Sequence, residues 1–202
     1  MSVANIEGLA RDVGIEAPRR FIVDWQRAES EIGTRLPQEY KDYVYWFGPG
    51  GFEDDFFVSV PGVENSNIEF LSNFQDEVED LRNWNSGDRT LAPIRLFPEA
   101  GGWLPFAVTD EGCAVFWVTE GDDPDRWKVA ARTRYWEPEY FGGGFVEFLR
   151  AAVRGTAELV ALPEPQHTPP LEFWPDDGSW LGGAGTRLEA YSRFEEAPGA
   201  GS

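Results

Sequence analysis

The chain has 202 residues, a length for one domain with extensions, and its 42% hydrophobic content is enough for a packed core. Its net charge is −19, and 15% of its residues are aromatic, with nine Trp and fifteen Phe. A field of that sign excludes nucleic acid and anionic lipid as natural partners and attracts a basic protein, although acidity also simply keeps a protein soluble.

In chain order, the opening MSVANIEGLARDVG has no long apolar run and does not read as a signal peptide. No segment reaches the ~20 apolar residues of a membrane helix, so the expectation is a cytoplasmic protein without a membrane partner. Ile22, Trp25, Ala28 and Ile32 recur at helical spacing, and Gly33 stands at a stop position. Pro37 then opens a second helix, with Tyr40, Tyr43, Val44 and Phe47 as its apolar face. Gly48 suits a left-handed cap and Pro49 forbids continuation. FFVSVP, from Phe56 to Pro61, reads as a short strand. Leu71, Phe74, Val78 and Leu81 mark a third helix, with Asn67 as its expected cap. From Glu53 to Asp88 there are ten acidic residues and one basic, Arg82, so the outer face of that helix is acidic.

The period then changes from helical to alternating. Leu91–Phe97, Trp103–Thr109, Cys113–Thr119 and Arg126–Arg132 read as strands, rich in β-branched and aromatic residues. Asp110–Gly112 is a tight hairpin connection and Glu120–Asp125 the next turn, which implies an antiparallel meander. Phe145–Gly155 reads as a closing helix with Phe145, Phe148, Leu149 and Val153 inward. The expected fold is therefore α+β, an antiparallel sheet flanked by helices. Its core should include Trp25, Leu36, Tyr40, Phe47, Phe106, Phe116 and Phe148. Residues 1–162 form the expected domain, with a core over about 19–155, and residues 163–202 a Pro-, Gly- and acid-rich extension that folds over the domain or floats.

Candidate chemistry is sparse. Cys113 is the only cysteine and His167 the only histidine, so neither an internal disulfide nor a Cys/His zinc site can form. A Ser-His-Asp or Cys-His pair would require His167 to return from a proline-rich stretch. Glu111 and Asp122 could sit at one sheet edge as a carboxylate pair, but turn carboxylates are usually solvated. GDDPDRW, Gly121–Trp127, lacks the central glycine and terminal glutamate of an EF-hand loop. Gly48–Gly51 lacks the Lys-Ser/Thr of a phosphate loop and follows a helix. No cofactor and no catalytic set is expected.

A helix holding Trp25 and Glu29, followed by IGTRLPQEYKDYVYWFGPGGF, resembles the opening of the SUKH superfamily. Leu36, Pro37, Tyr40, Phe47, Gly48, Gly50 and Phe52 fall on its Leu-Pro elbow, aromatic helix, glycine turn and strand. LPFAVTDEGCAVFWVTEGDDPDRWKV resembles its central hairpin, and FVEFL its closing helix. The superfamily takes in the Smi/Knr cell-wall regulators of yeast and many bacterial immunity proteins. The resemblance implies an α+β domain without catalytic activity that neutralises a cognate toxin by direct binding. The acidic field points to a basic toxin, such as a nuclease. The alternatives are an interaction adaptor in cell-wall or developmental regulation, or a carboxylate-dependent hydrolase. The expected partner-binding residues are Glu53, Asp54, Asp55, Asp122, Asp123 and Asp125, with Trp127 as an anchoring ring, on a protein taken as a monomer.

Overall fold

The computed structural model describes residues 2–53, 56–87, 94–162, 170–176 and 192–194. Its elements run α1 (Ser2–Asp12), β1 (Phe21–Val23), α2 (Trp25–Ile32), α3 (Gln38–Phe47), β2 (Gly50–Phe52), β3 (Phe56–Val58), α4 (Phe70–Asn85), β4 (Trp103–Thr109), β5 (Ala114–Val118), β6 (Lys128–Arg132), β7 (Pro138–Phe141), α5 (Phe145–Val153), β8 (Phe173–Pro175) and β9 (Ser192–Phe194). A seven-stranded antiparallel sheet in the order β7-β6-β5-β4-β3-β2-β8 forms the centre, and β1 pairs separately with β9. The molecule is the α+β arrangement that the change of period implies.

Strand alternation divides the sheet into two faces. Phe52, Val58, Leu104, Phe106, Val115, Trp117, Val129 and Ala131 join one large core with Ile6 and Leu9 of α1, Tyr40, Tyr43 and Phe47 of α3, and Phe145, Phe148 and Leu149 of α5. A register shift between Pro105 and Ala107 lets Phe106 and Ala107 both serve this face. Tyr40 meets Trp117 edge-on at 5.2 Å and Phe145 at 5.6 Å, and its hydroxyl donates to Ser59 O at 2.6 Å. Burial pushes the Tyr40 and Tyr43 phenols well above their ordinary pKa. The opening aromatic run is thus mostly the inner face of α3, where each buried ring contributes roughly 1.5–3 kcal/mol.

Trp103, Ala114, Phe116 and Ala130 face the other way and form a smaller core with Leu81 and Trp84 of α4 and with Ile94. A buried ion pair pins α4 there: Arg132 Nη2 lies 2.7 Å from Glu77 Oε2, and Arg132 Nη1 donates to Gly112 O at 2.7 Å. The Arg132 guanidinium also stands 4.3 Å from the Trp136 ring, which stacks on Trp84.

Several expectations change. Ile22 belongs to β1 and is 40% exposed, because α2 starts only after the Asp24 side chain caps it by accepting from Arg27 N. Trp25 is half-buried, edge-on to Tyr40 at 5.8 Å and under the Lys41 ammonium. The other six expected core residues are buried. Glu69 caps α4 by accepting from Ser72 N, while Asn67 lies outside the helix and donates its N–H to Asn65 Oδ1. Of the expected strand at Leu91–Phe97, residues 91–93 lie outside the described residues, and residues 94–97 form no strand, Leu96 making only an isolated bridge to Trp103. Gly48 takes a positive φ of 65° but an extended ψ of −163°, which turns the chain directly into β2. Helix α1, β2, β7 and β8 were not expected from local pattern. His167 and Trp180 lie outside the described residues.

Candidate functional site

The loop from β5 to β6 folds back onto the Leu-Pro elbow. Asp123 caps a short 3₁₀ turn, Pro124–Arg126, by accepting from Asp125 N. Arg35 then reaches both acids, with Nη2 3.0 Å from Asp123 Oδ1 and Nη1 3.0 Å from Asp125 Oδ2. Asp125 also accepts the Gln38 N–H at the start of α3. Partial burial works to raise the Asp125 pKa, but the Gln38 amide and Arg35 outweigh it and hold the carboxyl below its ordinary value. Asp123 and Asp125 are therefore both exposed acids and structural anchors, while Asp122 is simply exposed.

Two expected contact residues are internal. Trp127 is 6% exposed, its ring 6.4 Å from Trp117 and its Nε1 donating to Gly121 O at 3.4 Å. It packs into the main core and offers no ring to a partner. Glu53 is 4% exposed, sits at a φ of 54°, and its N–H donates to Glu172 O at 2.9 Å. Asp54 and Asp55 lie outside the described residues. Glu111 pairs with Arg134 at 3.5 Å, and β5 separates it from Asp122, so these two carboxylates do not face one another.

The more complete surface centres on α4. Asp76, Glu79 and Asp80 project from its exposed face. On one side lies a groove of about 740 Å³, floored by Ile32, Phe74, Val78, Phe97 and Pro98 and edged by Gln75, Glu79, Arg82 and Asn83. Phe74 meets Phe97 edge-on at 6.0 Å. Two residues beyond Gly33, which lines the groove, Arg35 holds the acidic loop. On the other side of α4 lies a hollow of about 530 Å³, lined by Phe57, Asn65, Asn67, Asn73, Asp76 and Asp110 among others. The acids also act inward: burial raises the Glu77 pKa first, Arg132 opposes this, and Asp80 and Asp76 add to the rise. The sequence signal was the acid-rich outer face of this helix; the groove was invisible because Ile32 and Phe97 reach it from distant parts of the chain.

Among the described residues, no group of three or more His, Cys, Asp or Glu is placed to hold a metal ion, and no helix is long and apolar enough to cross a membrane. The arrangement offers apolar burial beside fixed negative charge, which is the chemistry of protein recognition. No curated protein and no solved structure matches the chain. Residues 22–151 match the model of the SMI1 / KNR4 family (SUKH-1), a span that opens within β1, closes within α5 and contains α4, its groove and the acidic loop. The chain belongs to the SMI1 / KNR4 family (SUKH-1).

Proposed function

We propose that this protein is a non-catalytic immunity protein that binds and neutralises a cognate, basic protein toxin. The observation that carries this reading is the α4 surface, where an apolar groove edged by Glu79 lies along a helix that also exposes Asp76 and Asp80. The groove supplies a place for an apolar anchor, and the acids supply steering toward a basic partner. Asp122, Asp123 and Asp125 extend the same sign of charge past the Arg35 elbow. Membership of the SMI1 / KNR4 family supports a protein partner. A nuclease fits the partner's expected charge, since a nuclease carries basic residues for its own substrate.

The test is co-expression with a candidate basic toxin, scored by survival, together with binding kinetics of the purified pair. Protection that falls when Asp76, Glu79 and Asp80 become Lys supports the reading. Tight binding without protection moves the protein to the adaptor class, and the absence of both refutes the proposal.

A further inference from the structure

The glycine turn after α3 builds a site that the family match does not account for. Strand β2 is paired on one side with β3 and on the other with β8, which comes from beyond the matched residues 22–151. Gly50 faces Pro175, Gly51 faces Trp174 and Phe52 faces Phe173. Glu53 N donates to Glu172 O at 2.9 Å and Asp176 N to Pro49 O at 3.0 Å, so the backbone ladder continues past both ends of the pair. The edge of β2 is shaped for a strand. A Cβ on Gly50 would stand 2.4 Å from Trp174 O and 2.6 Å from the Phe173 ring, and Gly50 holds a φ of 154° that side-chain-bearing residues rarely adopt. Phe173 enters edge-on to Phe47 at 5.1 Å and to Phe52 at 5.4 Å. Leu171 is 8% exposed, and its N–H donates to Val153 O. At the far end the buried Asp176 accepts from the equally buried Asn65 Nδ2 at 3.0 Å.

We propose that the edge of β2 is a strand-acceptor site, filled in cis by the strap Leu171–Asp176, and that an extended segment of a partner with the same apolar–X–aromatic–X–Pro–acid pattern enters it by displacing that strap. The site recognises four features. These are an apolar side chain at the Leu171 position, a ring at the Phe173 position, a proline that ends the pairing, and a carboxylate for Asn65. The strap is the end strand of the sheet and pairs on one side only, so it can open locally without breaking the β2–β3–β4 ladder beneath it. Once it opens, β2 presents free backbone N–H and C=O groups, the condition under which an extended peptide adds to a sheet. This inference does not depend on the toxin reading, because the strap pairs with β2 and not with α4.

The probe is a fluorescein-labelled synthetic peptide, PPLEFWPDDG, identical to residues 169–178. Its binding to the full chain is followed by anisotropy, with a scrambled peptide of the same composition as control. A tethered strap competes at an effective concentration of the order of mM, so the full chain with Phe173→Ala and Asp176→Ala should bind the probe at least ~10-fold more tightly than the unaltered chain. Adding Gly50→Ala to that variant should abolish binding. Near-UV circular dichroism checks that each variant retains its packed core. A folded strap-weakened chain that binds no probe, binds the scramble equally, or is indifferent to Gly50→Ala overturns the proposal. Hydrogen exchange on the unaltered chain decides the matter even if the variants do not fold. The Glu53 and Asp176 amides should exchange at least ~10-fold faster than those of β4 and β5, by local opening. Exchange of all of them only through global unfolding overturns the proposal.

Discussion

The two faces of the sheet are built differently. The first is covered by α1, α3 and α5 with nearly continuous aromatic packing, and its side chains need few polar contacts. The second is covered by α4 and the segment around Ile94, and it depends on a buried Glu77–Arg132 pair to fix the helix in place. Apolar packing tolerates any orientation that fills space, whereas a bidentate ion pair fixes one. The first face therefore carries the stability of the domain. The second holds an acidic helix at a defined height above the sheet and leaves grooves on either side of it.

The largest expected effect tests the first face. Phe148→Ala, deep against Phe106 and Phe56, should cost about 3–5 kcal/mol by chemical denaturation. A cost under ~1 kcal/mol would mean that the rings are not the main support. Next comes the pin under α4. Arg132→Met should cost about 3 kcal/mol or more, because it strands a buried carboxylate, while the double change Arg132→Met, Glu77→Leu should recover most of that loss. If single and double variants are equally unstable, the pair is not what positions α4.

The pH dependence sharpens the same contrast. Glu77 has a folded pKa raised above its ordinary 4.5, chiefly by burial. Its protonated form is thus favoured by folding, and its contribution is fully present below that ordinary value and lost as pH rises through the raised one. Relative to Glu77→Gln, the unaltered chain should lose stability as pH rises across this window, read as the difference between the two thermal-unfolding profiles. On the first face, Asp12 has the opposite sign. Burial works to raise its pKa, but Arg154 and Arg150, at 2.8 and 3.1 Å, outweigh it and the folded pKa is lowered. Its stabilisation is present above the ordinary value of 3.8 and lost as pH falls through the lowered one. Asp12→Asn should remove on the order of 1 kcal/mol at neutral pH and flatten that acid limb.

The same division explains what could be read from the sequence. The α3 face, the Asp110–Gly112 hairpin and α5 follow from local spacing, and the structure keeps them. Helix α1 is readable in principle from Ile6, Leu9 and Ala10 on one side, but the lack of a long apolar run implies only that the opening stretch is no signal peptide and leaves the helix unassigned. Strands β2 and β8 have no readable period in three residues each and exist through pairing; β2 enters only through the family resemblance at Gly50 and Phe52, and β8 not at all. Trp127 misleads for a related reason: just before a strand, nothing local says which way the ring turns, and Trp117 decides it. The acid-rich character of α4 was legible, whereas its groove was not, because it forms only when Ile32 and Phe97 converge on Phe74 and Val78.

The smallest effect on stability and the most direct test of function meet at the acidic ridge. Converting Asp76, Glu79 and Asp80 to Lys should leave chemical denaturation nearly unchanged, since all three are exposed. A control triple, Glu7, Glu16 and Glu158 to Lys, makes the same change in net charge at other exposed positions. The decisive measurement is the association rate of each with the basic toxin proposed as the partner, at low and high salt. A slowing of at least ~10-fold is expected for the ridge variant and under ~3-fold for the control, with the rates converging at high salt. Equal slowing by both triples, or association indifferent to the ridge, would contradict the claim that α4 is the partner-facing surface.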